Sequence, residues 1–322
     1  PTTATLLIVS LMPPHSRRSG PAANRGKPGF MVNPTSGAGQ PSVNPPGELY
    51  GRPMSESESI QDQYSVELRG DTAILTLNRP ERLNALTWEL MRELHDRLDE
   101  IRADQSIRLL VLTGAGRGFC SGLDIMRGDP LGGDDSILTV LERQELVANL
   151  AIKIRKLPIP VIAAVNGAAT GAGFALALAS DIRLCGPDAK FSAAFVRIGI
   201  SACDVGVSYM LPRIVGHGAA SEIMLTGNLV DAGWAERIGL VSRVVDGDLV
   251  EAAVEFGKDI TRNSPFGVRM TKEVLAFSVD APSMEAAVEM ENRTQVIATR
   301  TEDMSEAVAA FKDKREASFN YR

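Results

Sequence analysis

The chain has 322 residues, 44% apolar and 23% charged, enough to bury a substantial core as one large domain or two small ones. A net charge of −6 without any basic patch argues against a nucleic-acid surface, because phosphate binding needs concentrated Lys and Arg. Three widely spaced cysteines (Cys120, Cys185 and Cys203), with no CxxC and no Cys/His cluster, argue against a disulfide framework and against a metal site.

Residues 1–60 are rich in Pro, Gly, Ser and Asn, and such a segment buries too little apolar surface to offset chain entropy. Disorder is expected there. The apolar stretch at 4–12 is short, no positive region precedes it and no clear cleavage site follows, so a signal peptide is not expected. No run of 18 or more apolar residues exists, so no spanning helix is expected and a cytoplasmic location is. The first residue is Pro, and Met31 and Met54 are alternative starts that would make the preceding residues an extension.

The folded part is expected to begin near Tyr64. Residues 65–68 and 72–78 read as paired strands turning at 69–71. Thr87 is placed to cap a helix through about Ile101, with Leu90, Met91, Leu94 and Leu98 spaced for one buried face. A short buried strand at 109–113 and a long amphipathic helix at 136–157 follow, and Pro158 and Pro160 end that helix. Next come a buried strand at 161–165, a small-residue helix at 171–179 and a strand at 182–184. Beyond Asp231 the pattern is mostly helical, ending in helices over 283–300 and 305–316. This order predicts an α/β core over 64–262 and a helical subdomain over 263–322. No solenoid-type repeat is present.

Chemistry has few places to sit. His15 lies in the polar arm, His95 on the polar side of a helix and His217 at a turn, so a Ser/His/Asp triad lacks a base. Two glycine turns stand out: Gly118-Phe-Cys-Ser-Gly122-Leu-Asp124-Ile125, and Gly167-Ala-Ala-Thr-Gly171-Ala-Gly173. Each follows a strand, where glycine lets the backbone turn sharply and expose N–H groups. The second also opens a helix, whose N-terminus favours developing negative charge. As dinucleotide loops, both fail at the third small position of GxGxxG and precede no acidic ribose ligand at the required distance.

The ordered pieces decide what the pair of turns means. These are Leu77-Asn-Arg-Pro-Glu-Arg-Leu-Asn-Ala-Leu86, Gly118-Phe-Cys-Ser-Gly-Leu-Asp124, Lys156-Leu-Pro-Ile-Pro-Val-Ile-Ala-Ala-Val-Asn-Gly167, Gly171-Ala-Gly173, Ala179-Ser-Asp-Ile182, Leu225-Thr-Gly227, Gly239-Leu-Val241 and Phe311-Lys-Asp-Lys-Arg315. In these runs the chain from Tyr64 onward resembles the enoyl-CoA hydratase/isomerase (crotonase) family. The resemblance implies an α/β spiral of ββα repeats with C-terminal helices that mediate trimerisation, as a homotrimer or a dimer of trimers. It implies an acyl-CoA substrate, with coenzyme A as part of that substrate and no separate cofactor. It also implies that the thioester oxygen accepts the backbone N–H groups of Leu123 and Ala172, in turns built around Ser121, Gly122 and Gly171. The segment holding Arg82, Leu83 and Ala85 would line the CoA pocket, with Asp124 and Ile125 beside it, and Lys314 would reach the nucleotide end of a neighbour's CoA.

The sequence departs from that family at two places. Its hydratases carry a glutamate two residues after the Gly-x-Gly turn, where this chain has Ala175, and a second four residues after the phenylalanine matching Phe191, where it has Phe195. Adding water across a double bond needs a base for the water and an acid for the α-carbon, so efficient hydration is not expected. Asp204, in Ser201-Ala-Cys-Asp-Val-Gly206, is the remaining carboxylate near the expected acyl pocket. It reads either as a proton shuttle like that of the family's dienoyl-CoA isomerases, as a nucleophile like that of its aroyl-CoA dehalogenases, or as a helix N-cap before 205–211. Phe195 would line an apolar or aromatic acyl pocket. Asp124 and Asp181 match positions that look structural. A non-catalytic acyl-CoA-binding protein is the competing reading.

Overall fold

The structure, a computed structural model, describes residues 59–126 and 135–320. The disorder expected of residues 1–60 falls almost wholly outside them. Ser59 caps a 3-10 turn over Ile60–Gln63, which leads into an antiparallel pair, β1 (Tyr64–Arg69) and β2 (Thr72–Leu77). A second 3-10 turn, Pro80–Arg82, precedes α1 (Trp88–Ala103), where the Thr87 hydroxyl accepts the Leu90 N–H at 3.1 Å. A cap of this kind stabilises a helix by about 1 kcal/mol.

Three successive units then share one plan. The first is β3 (Leu109–Gly114), β4 (Gly118–Cys120) and α2 (Ile137–Arg155). The second is β5 (Val161–Val165), β6 (Ala168–Thr170) and α3 (Ala172–Ala179). The third is β7 (Ile182–Cys185), β8 (Lys190–Ser192) and α4 (Val207–Thr226). In each unit the first strand joins a six-stranded sheet and the second a four-stranded sheet. With β9 (Val230–Asp231) and β10 (Arg243–Val244) the orders are β1-β2-β3-β5-β7-β10 and β4-β6-β8-β9. The chain thus winds as a spiral of ββα repeats between two sheets, and every pairing from β2 to β10 in the larger sheet is parallel.

Burial follows from that winding. β3 and β5 are buried along their whole length, as parallel strands covered on both faces are. Leu110, Leu112, Ala163 and Val165 face the main core with α1, α2 and α3. The alternate residues, Ile74, Leu109, Val111 and Ile162, pack on the other face against Leu249, Ala253 and Val254 of α6 (Leu249–Thr261), which follows the short α5 (Ala232–Arg237). Gly257 permits that contact, since a Cβ there would lie 2.1 Å from Leu109 Cδ2. The chain ends in α7 (Pro265–Ser278), α8 (Met284–Ala298) and α9 (Glu302–Asp313).

One local expectation needs correction. The third unit's helix begins at Val207, with Gly206 as its N-cap, so Asp204 is not its cap. His217 directly follows a break in α4 at Gly216, where φ is 77° and ψ 160°, so it sits at the bend between two helical stretches. His95 is half-buried, its Nε2 3.0 Å from the Leu146 carbonyl oxygen.

Candidate active site

The two glycine turns meet because β4 and β6 are parallel neighbours in the smaller sheet, so the loops leaving their C-terminal ends lie side by side. Thr170 ties them together, its hydroxyl donating to the Ser121 carbonyl at 2.9 Å. Gly122 adopts φ 95°, and a Cβ built on it would lie 3.0 Å from the Thr170 oxygen and 3.2 Å from the Ala172 nitrogen. Only glycine fits that approach. On the other side of the junction, Gly173 sits so close to β4 that a Cβ there would stand 2.0 Å from the Cys120 carbonyl oxygen.

The first turn is held from behind by the segment after the second 3-10 turn. The Leu86 N–H donates to the Gly122 oxygen at 2.8 Å, the Asp124 N–H returns to Leu86 at 2.9 Å, and the Ser121 N–H reaches Leu83 at 2.9 Å. Leu83 and Asn84 are both left-handed, and the buried Asn84 amide bonds the Ala115 and Gly118 carbonyls at 3.0 and 2.7 Å. With these bonds in place, the N–H groups of Leu123 and Ala172 have no acceptor among the described residues. Ala172 is the first residue of α3, where an N–H has no partner within the helix and the dipole is positive.

Both turns open on a cavity of about 250 Å³. Gly122, Leu123, Gly171 and Ala172 border it together with Ser121, Ile125, Phe195 and Asp204. Trp88, Val140, Val147, Ile198 and Ile200 make its wall largely apolar, and Arg143, paired with Asp135, lies over the Trp88 ring at 5.6 Å. The arrangement offers two free donors at one end of an apolar cavity and one carboxylate on its border. That combination can bind a carbonyl oxygen and move a proton nearby.

Other expected residues fall elsewhere. Arg82, exposed, and Leu83 and Ala85 do not border the cavity but lie behind Ser121, whose hydroxyl is 3.4 Å from the Arg82 oxygen. Asp124 is turned away into a buried ion pair with Arg79 at 3.0 Å. Lys314 is exposed where α9 ends, in a left-handed cap. Ala175 is wholly buried in α3 and Phe195 is 7% exposed, so each replaces a would-be acid with apolar packing. Burial pushes the Cys120 thiol up to about 12, which removes it as a nucleophile, while Cys203 is exposed. Among the described residues no group of three His, Cys, Asp or Glu could hold a metal ion, and no helix is long and apolar enough to cross a membrane.

Gln144 is the member that the sequence did not reveal. It donates its side-chain amide to Asp204 Oδ1 from α2, 60 residues away in the chain. Its place on the cavity side of α2 was the one available signal, but an amphipathic pattern does not select which polar residue faces inward.

Known proteins place this site in context. Residues 68–322 match the family model for enoyl-CoA hydratase/isomerase. A probable enoyl-CoA hydratase of Mycobacterium leprae is 41% identical over 252 residues, 77% of this chain and 86% of that protein. The 1,2-epoxyphenylacetyl-CoA isomerase of Escherichia coli is 38% identical over 250 residues, 76% of this chain and 93% of its own. The crystal structure of a probable enoyl-CoA hydratase/isomerase from Mycobacterium abscessus superposes with a TM-score of 0.74 at 41% identity, covering 81% of this chain and 99% of that one. With the ββα spiral and the paired turns already in view, these matches show that the chain belongs to the enoyl-CoA hydratase/isomerase family.

Proposed function

We propose that this acyl-CoA enzyme holds the thioester carbonyl between the N–H groups of Leu123 and Ala172 and stabilises the enolate that forms there. The observation that carries this reading is the approach of Gly122 to the Ala172 nitrogen, with both N–H groups unpartnered at the cavity. Each such donor contributes about 3–4 kcal/mol to the transition state. The thioester is made more acidic at its α-carbon, and Asp204 carries the proton between positions of the acyl chain. Double-bond isomerisation needs only that one carrier, whereas hydration needs a base and an acid. Ala175 and Phe195 supply neither, so isomerisation is favoured over hydration. The isomerase named among the relatives is consistent with this preference.

Coenzyme A enters as part of the substrate and no further cofactor is invoked. Its pantetheine would run past the Arg82–Leu83–Ala85 segment behind Ser121, and a homotrimer, or a dimer of trimers, would bring Lys314 to a neighbour's nucleotide. Two alternatives remain with the same site: attack by Asp204 on an aroyl ring carbon, as in a dehalogenase, and acyl-CoA binding without turnover.

The deciding experiment compares the native protein with Asp204→Asn on enoyl-, dienoyl- and haloaroyl-CoA substrates. Isomerisation with multiple turnovers, abolished in the variant while acyl-CoA binding persists, is expected. Binding without any turnover would select the carrier reading. Halide release with a trapped aspartyl ester would select the dehalogenase.

A further inference from the structure

Two cavities lie in succession along one face of α2. The cavity at the paired turns is bordered by Val140, Gln144 and Val147, and a second cavity, of about 700 Å³, is bordered by Ala151 and Arg155. These positions recur every three or four residues, so they share a helix face, and Val147 and Ala151 stand about one turn apart, ~6 Å along the axis. The second cavity is bordered by the buried Leu157 and Met210 and by the exposed Ala276, with Arg102 and Lys156 among its polar borders. It is large enough for an extended alkyl chain, yet the first cavity, at about 250 Å³, falls below the volume of ~300–1,000 Å³ usual for pockets that enclose larger ligands.

Among the residues bordering these two cavities, Val205 alone borders both. It is 5% exposed and sits at φ 46°, a left-handed conformation that a β-branched residue adopts only when its surroundings impose it. Those surroundings are visible. Its N–H donates to Asp204 Oδ1 at 2.8 Å, and Gly206, at φ 78°, turns the chain into α4 directly after it. The strained residue is therefore fixed beside the acid and between the two spaces.

We propose that Val205 is the specificity-determining wall of this enzyme, ending the acyl cavity so that short or single-ring acyl groups fit and long chains do not. The inference rests on the acyl-CoA reading of the site, and it adds the class of acyl group. A smaller residue at 205 joins the two cavities into one channel along α2. Glycine is the natural test, because it adopts a positive φ without strain and the variant is expected to fold.

The experiment titrates the native protein and Val205→Gly with straight-chain saturated acyl-CoAs from butanoyl to hexadecanoyl, and determines the crystal structure of the variant. Native affinity is expected to drop by about tenfold or more once the chain outgrows the first cavity, since a misfitting methylene costs about that much in a closed pocket. In the variant the drop should move to longer chains, and the crystal structure should show one continuous cavity. Native protein that binds hexadecanoyl-CoA as tightly as butanoyl-CoA, or a variant with an unmoved cut-off, overturns the proposal. If the native protein binds no acyl-CoA at all, the thioester reading fails by itself. The variant's structure then decides the wall: a joined cavity supports it, and two separate cavities overturn it.

Discussion

Gln144 and Asp204 are hydrogen-bonded across the cavity, and the Val205 N–H reaches the same carboxylate oxygen, Oδ1, at 2.8 Å. Two donors on one oxygen leave Oδ2 without a partner among the described residues, so Oδ2 is the oxygen available to exchange a proton. Gln144 is on this account a positioning residue. Gln144→Leu should lower kcat about tenfold, the value of one hydrogen bond to a charged group near a solvent-accessible site, and leave KM nearly unchanged. Steady-state kinetics checks this. A rise in KM with kcat intact would mean that Gln144 contacts substrate instead.

The buried pair of Arg79 and Asp124 predicts a stability effect separate from chemistry. Their side chains are 8% and 7% exposed, and Arg79 also donates to the Ala85 carbonyl. Removing one partner leaves an uncompensated buried charge, so Asp124→Ala should cost about 3–5 kcal/mol of unfolding free energy. Urea denaturation measures it. The pair braces the segment behind the first glycine turn, so the melted fraction and the lost activity should rise together.

How much of this was legible in the sequence depends on the length of the signal. β3 and β5 announce themselves as unbroken apolar runs, and Thr87 sits where the cap of α1 is found. β4, β6 and β8 are three residues each, too short to show any period, yet their adjacency is what brings the two turns together. The glycine motifs located the turns; only the sheet order shows that they converge. Asp204 was open to reading as a cap because acids commonly precede helices, but Gly206 takes that position and the carboxylate turns to Gln144. The Gln144–Asp204 bond and the wall at Val205 depend on segments 60 residues apart packing together, which no local pattern encodes.

The end of the chain should be sensitive to acid. Glu306 on α9 accepts Arg315 through both oxygens, at 2.6 and 2.9 Å, and the Ser318 N–H at 2.8 Å. The Arg315 fork first, and the Ser318 N–H second, pull its carboxyl down from 4.5 to about 2. A folded pKa below the unfolded one means stability that is present above pH 4.5 and is lost as pH falls through about 2. Hydrogen exchange at residues 315–320, corrected for intrinsic rates, should therefore lose protection across that window. Glu306→Gln should flatten the dependence, and an unchanged profile in the variant would assign the effect to another group.

The proposed oxyanion hole consists of two N–H groups around one oxygen. A crystal structure with a saturated acyl-CoA bound tests it most directly, by the distances from the thioester carbonyl oxygen to the nitrogens of Leu123 and Ala172. Both should fall at about 2.7–3.1 Å, the range of an effective oxyanion donor. A thioester oxygen out of reach of either nitrogen, in a protein that still turns over acyl-CoA, would contradict it.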